Sequence, residues 1–99
     1  MIREIAELTI KPGSDAAFQA AVAQAVPHFQ SAKGCQSMKL EKVLERPDTY
    51  RLMVLWDTLE AHTVDFRDSQ GFADWRALAG PFFAAPPNVY HTEVVVEGF

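Results

Sequence analysis

Residues 49–56 read TYRLMVLW, and the architecture of the chain turns on them. Side chains alternate between the faces of an extended strand, so Tyr50, Leu52, Val54 and Trp56 share one face while Met53 and Leu55 share the other. A strand that is apolar on both faces is covered on both sides. Just upstream, Arg46-Pro47-Asp48 is a hairpin-type turn. Before it, residues 36–45 (QSMKLEKVLE) alternate Met38 and Leu40, then slip phase at Val43 or Leu44, as a bulge would. Further upstream, Phe18, Val22, Ala25, Val26 and Phe29 form an apolar stripe at helical spacing, which predicts a helix over about 15–31 that Gly34 closes. Pro27 conflicts with it, because an interior proline deletes a backbone hydrogen bond. The expectation is a long helix disturbed near 23–27, its last turn a candidate separate piece. Ser14 is the candidate N-cap, and Lys11-Pro12-Gly13 is a turn. Residues 2–10 (IREIAELTI) open the chain as a strand with Ile2, Ala6, Leu8 and Ile10 on one face, Glu4 being the exception there.

Downstream of Trp56, Asp57 and Glu60 have capping-box spacing and start a helix over roughly 58–67. Ser69 caps another over 70–79, with Phe72, Trp75, Leu78 and Ala79 as its apolar face. Gly80 and Pro81 end it. The loop PFFAAPPN follows, and residues 89–96 (VYHTEVVV) make a last strand. The order β-α-β-β-α(α)-β is ferredoxin-like. It predicts an α+β fold, a four-stranded antiparallel sheet with helices on one face. Helices can cover only one face, so Met53 and Leu55, joined by Val94 and Val96 or by Val89 and Val95, would form an exposed apolar patch on the other. A patch of that size is unusual on a monomer and predicts a homodimer.

Bulk properties narrow the function. A chain of 99 residues suits one domain spanning 1–99. Its net charge of −4, with acids and bases interspersed, leaves no basic stripe for nucleic acid. No apolar run reaches the roughly 20 residues of a membrane span, and the N-terminus lacks the shape of a signal peptide. A cytoplasmic protein is expected. The single Cys35 can form no internal disulfide and belongs to no metal-ligand pattern. Residues 56–91 hold both tryptophans, four of the seven phenylalanines and two of the three histidines, together with Arg67 and Arg76. That mixture suggests a lined cavity rather than core alone.

Four pieces, in order, carry a resemblance over nearly the whole chain: the opening strand with Lys11-Pro12-Gly13, Gly34-Cys35 entering the second strand, VLWDTLEAH with His62, and SQGFADW before the loop and last strand. The chain resembles the antibiotic biosynthesis monooxygenase (ABM) family of dimeric α+β barrels. The resemblance implies a homodimer and, for function, one of several outcomes: a cofactor-independent oxygenase of phenolic, anthrone or quinol-type aromatics, a haem-degrading enzyme, or a protein without known activity. Haem-degrading members use a histidine on the helix that here begins near Ser69, where this chain has Arg76, and an asparagine in the first strand, where it has none. The expectation is therefore no haem; with no metal-ligand spacing and no nucleotide loop in the sequence, no flavin or catalytic metal is expected either.

Two classes of function follow: a small oxygenase, or a non-catalytic small-molecule-binding or stress-related dimer on the same scaffold. For the oxygenase, His62 is the candidate base, since an imidazole titrates near neutrality; the plain alternative is a half-buried histidine bonded to a backbone carbonyl. Phe66, four residues on, shares its helix face. Phe72 and Trp75 are an aromatic wall for a flat substrate or simply core. Arg76 could reach a substrate carboxylate or phenolate, pair with an acid at a dimer contact, or remain solvated. Tyr50, Arg51 and His91 lie on strands, and one of them could line the cavity; Tyr50 is taken as a substrate contact. His62, Phe66, Phe72 and Trp75 are expected to border one cavity, with the loop 81–87 closing one mouth.

Overall fold

A computed structural model describes all 99 residues. Strand β1 (Ile2–Thr9) leads into helix α1 (Asp15–Gln30), strands β2 (Cys35–Lys42) and β3 (Thr49–Trp56), a wide helix (Ala61–Phe66), helix α2 (Gln70–Ala79), a short 3₁₀ turn (Gly80–Phe82) and strand β4 (Asn88–Thr92). The four strands form one sheet in the order β2-β3-β1-β4, with every neighbouring pair antiparallel. The expected α+β arrangement is the one found.

Tyr50, Leu52, Val54 and Trp56 are buried beneath the helices, whereas Met53 and Leu55 lie half-buried on the opposite face. Alternation in β3 thus sets which side of the sheet receives the helices. Phe18, Val22, Ala25 and Phe29 of α1 pack onto that side. Phe18 meets Tyr50 at 5.1 Å between ring centroids, and Phe29 meets Phe66 at 4.9 Å and Trp75 at 5.3 Å.

Several local expectations are corrected. Helix α1 runs unbroken through Pro27. Both Pro27 and Ala23, the residue whose carbonyl loses its partner, are exposed, so water can serve that carbonyl while buried Phe29 holds the last turn down. Val26 is exposed, and Ala21 takes the place expected for it in the buried stripe. Ser14 occupies the N-cap position, but its hydroxyl caps nothing. The irregularity in β2 lies between Cys35 and Ser37, and the strand ends at Lys42, before Val43 and Leu44. Thr58, not Asp57, caps the wide helix by accepting from the Ala61 amide at 3.1 Å; Asp57 instead accepts from Gln36. Ser69 caps α2 as expected, its hydroxyl accepting from the Phe72 amide.

Strand β4 stops at Thr92. Val94, Val95 and Val96 lie beyond the sheet and are exposed, and Val89 faces the helix side rather than the open face. The run of valines has strand propensity, but β1 offers ladder partners only from Arg3 to Glu7. Gly34 is required where it stands: its φ is +81°, and a Cβ there would lie 2.9 Å from the Cβ of Ala61, at the entry to the wide helix. No helix is long and apolar enough to cross a membrane.

Candidate active site

The chain passes from β3 into the wide helix within a few residues, which brings His62 back over the end of the strand it has just left. The Arg67 amide donates to the His62 carbonyl five residues earlier, at 3.3 Å, so the turn is wider than an α-turn. Such widened turns recur at functional sites. The His62 ring stacks on Trp56, with centroids 5.4 Å apart and planes 21° apart, and only 3% of the residue is exposed.

Glu4 explains why a polar side chain is tolerated there. Alternation along β1 sends it to the helix side among Ala6 and Leu8, and it is buried. Its Oε1 accepts from the Trp56 indole Nε1 at 3.0 Å and lies 3.2 Å from His62 Nε2. On β4, His91 pairs directly across from Glu4, and its Nε2 lies 2.8 Å from His62 Nδ1. Trp56, Glu4, His62 and His91, from four different elements, thus form one continuous polar chain: hydrogen bonds join Trp56 to Glu4 and His62 to His91, and His62 and Glu4 meet at 3.2 Å.

Burial pushes the Glu4 carboxyl up to about 7, against the opposing pull of the Trp56 hydrogen bond and the Arg67 charge. Burial pushes His62 down to about 4, and the positive charge of Arg67 and neighbouring His91 add to that fall. His91 is lowered for the same first reason, with Arg67 second. Near and below neutrality Glu4 is therefore largely protonated and His62 neutral, so the contact between them is not a full ion pair there.

Two members of this chain, Glu4 and His62, line a cavity of about 750 Å³ between the sheet and the second helical region. Ala6, Leu8 and Leu52 floor it, Phe72 and Trp75 wall it from α2, and Glu4, His62, Arg67 and Arg76 are its ionisable groups. Phe83 to Pro87 supply the remaining wall. That segment is stitched to the end of β1: the Lys11 amide donates to the Phe82 carbonyl at 2.9 Å and the Ala84 amide to the Thr9 carbonyl at 2.8 Å. A mostly apolar cavity of this size with a few convergent polar groups is the usual form of a small-molecule site.

Four of the residues singled out in the sequence, His62, Phe72, Trp75 and Arg76, meet in this cavity. Phe66 and Tyr50 do not line it. Phe66 is enclosed by Phe29, Trp56 and Phe72 and packs as core. Tyr50 is buried between α1 and β3, where its hydroxyl donates to Asp15 and accepts from Gln19. Sequence reasoning overlooked Glu4 as a site residue and did not separate His91 from its neighbours on strands. The signal for Glu4 was present: a carboxylate in phase with the apolar residues of a strand must be buried, and a buried carboxylate needs partners.

Comparison with known proteins fits this geometry. A match to the antibiotic biosynthesis monooxygenase family spans residues 1–78, which includes Glu4, Trp56, His62 and α2 almost to its end. The chain belongs to the antibiotic biosynthesis monooxygenase family. It is 40% identical over 95 residues to the uncharacterized protein YczJ of Bacillus subtilis, covering 96% of this chain and all of that one. A Bordetella bronchiseptica protein of known structure, bearing the provisional name antibiotic biosynthesis monooxygenase, is 46% identical, covers 96% of this chain with 97% of its own, and superposes with a TM-score of 0.94. Rv0793 from Mycobacterium tuberculosis is 19% identical over 99% of this chain and 98% of its own, with a TM-score of 0.78, a likeness of fold alone.

Proposed function

We propose that this ABM-family protein is a cofactor-independent monooxygenase that oxidises a phenolic, anthrone or quinol-type aromatic with O₂. The observation that carries the reading is the Glu4–His62–His91 chain opening onto an aromatic-walled cavity. His62 was the first candidate for the base, but both of its ring nitrogens are engaged, so it has no lone pair to offer a substrate. Glu4 has one: Oε1 takes Trp56 and His62, and Oε2 has no hydrogen-bond partner. A carboxylate that titrates near 7 is matched to accepting a proton at neutral pH. His62 then holds Glu4 in place and passes charge rearrangement on to His91.

In this scheme Glu4 removes a proton from the substrate, and Arg67 stabilises the resulting anion. The anion gives one electron to O₂, forming superoxide and a substrate radical. The two combine through a new C–O bond, and the peroxide loses water to leave a carbonyl. For an anthrone methylene the balance is CH₂ plus O₂ giving C=O plus H₂O, so the substrate itself supplies every electron and no external reductant is consumed.

The test is oxygen uptake with a panel of anthrones and quinols in the presence of a metal chelator. Uptake above the uncatalysed rate, by protein that is colourless as purified, is the expected result. A stoichiometric Soret or flavin band, or no uptake with any member of the panel, counts against it.

The open face of the sheet supports a homodimer. Ile5, Met53 and Leu55 lie there, and Arg51 on the same face has a buried Nε without a hydrogen-bond partner. Buried polar atoms are nearly always satisfied, and a second copy laid on this face can provide what Arg51 lacks while covering the apolar strip. Light scattering should give a particle of about twice 11.0 kDa at micromolar concentration. A particle of monomer mass would remove the dimer.

A further inference from the structure

The charge distribution around the cavity points to a property of the ligand. The chain carries 13 acidic and nine basic residues, so cations have an excess of possible partners. Three ion pairs form, His28–Asp74, Lys42–Asp15 and His62–Glu4, and no arginine takes part in any of them. Two of these unpaired arginines, Arg67 and Arg76, line the same cavity. The one carboxylate in its lining, Glu4, already serves Trp56 and His62. The guanidinium of Arg76 lies over the Phe72 ring, 5.8 Å from its centroid, which sets it against the aromatic wall.

The two arginines have different surroundings. Arg67 follows the wide helix and acts electrostatically on Glu4, His62 and His91, so it belongs with the polar groups. Arg76, nine residues later on α2, lies over the aromatic wall and acts on none of the three. We infer that the cavity takes an aromatic molecule with two polar ends: a hydroxyl held at Glu4 and Arg67, and a carboxylate held by Arg76 across the flat, Phe72- and Trp75-walled middle. Arginine suits that second role because its planar fork matches a carboxylate with two parallel hydrogen bonds.

The inference rests on the cavity being the substrate site, but its test does not depend on turnover. Binding of 6-hydroxy-2-naphthoate, which carries hydroxyl and carboxylate at opposite ends of two fused rings, is compared with binding of 2-naphthol by calorimetry or by quenching of tryptophan fluorescence. The naphthoate should bind about tenfold tighter or better, the scale of one charge-assisted contact. Arg76→Gln should erase that advantage, read for each variant as the ratio of naphthoate to 2-naphthol affinity, and Arg76→Lys should keep part of it. Circular dichroism confirms that each variant is folded. Equal affinities for the two probes, no binding of either, or an advantage that survives Arg76→Gln would overturn the inference. Oxygen uptake, measured separately, shows whether the oxygenase reading stands or falls on its own.

Discussion

Glu4→Gln should lower turnover by roughly 10²–10⁴-fold, the range expected for loss of a general base, while leaving the protein folded. Glutamine keeps the size of the side chain and an oxygen to accept from Trp56, so the local packing survives; it cannot take a proton. The wild-type kcat/KM should rise with pH through about 7, as Glu4 ionises, and the residual activity of the variant should lose that step. His62→Ala should cost less, because it removes the group that steadies the carboxylate and not the carboxylate itself. Equal losses in the two variants, or a pH profile that Glu4→Gln leaves unchanged, would return the base role to His62.

The same substitution has a stability consequence of defined sign. The folded-state pKa of Glu4 is raised from 4.5 to about 7, so its contribution is fully present below about 4.5 and is lost as pH rises through 7. Glu4→Gln does not ionise and should be more stable than wild type above pH 7, by roughly 1–3 kcal/mol. His62 runs the other way. Its pKa falls from 6.5 to about 4, so its contribution is present above 6.5 and is lost as pH falls through 4. In wild type the two slopes oppose each other between about 4.5 and 6.5. In Glu4→Gln the slopes of His62 and His91, both lowered by burial, remain unopposed, and thermal melts across that window should show stability falling steadily on acidification.

The largest loss of stability is expected at Trp56. Its side chain is fully buried where β3, the wide helix and the Glu4 chain meet, in contact with both His62 and Phe66. Trp56→Ala should cost about 3–5 kcal/mol through the cavity it leaves. At 4–8 °C per kcal/mol for a domain of this size, Tm should fall by roughly 12–40 °C. Trp56→Phe separates packing from chemistry: an aromatic ring remains, and the indole donor to Glu4 Oε1 is gone. That hydrogen bond pulls the Glu4 pKa down, so losing it should move the rising limb of the pH–rate profile upward. A profile that stays in place with Trp56→Phe would mean that the indole only packs.

Some of this was legible before any coordinates. Residues 49–56 alternate so strictly that the helix-covered face of the sheet could be named, and Ser69, Gly80 and Pro81 bracket α2 by local chemistry alone. Capping and period-2 alternation act over a few residues, so a linear reading captures them. Other features depend on what lies across space. Pro27 is harmless in α1 only because it and Ala23 face water while Phe29 is clamped by Phe66 and Trp75. The valines at 94–96 read as strand, yet the β1–β4 ladder ends at the Arg3–Thr92 pair. The site is the clearest case. His62 was visible as a candidate, but Glu4 lies 58 positions before it and His91 lies 29 after it, and only the β1–β4 ladder and the wide turn after β3 bring their atoms within hydrogen-bond reach. Alternation determined that Glu4 would face inward. The tertiary structure decided what it meets there, and therefore that burial among Trp56, His62 and the cavity wall raises it to the pKa of a base that works at neutral pH.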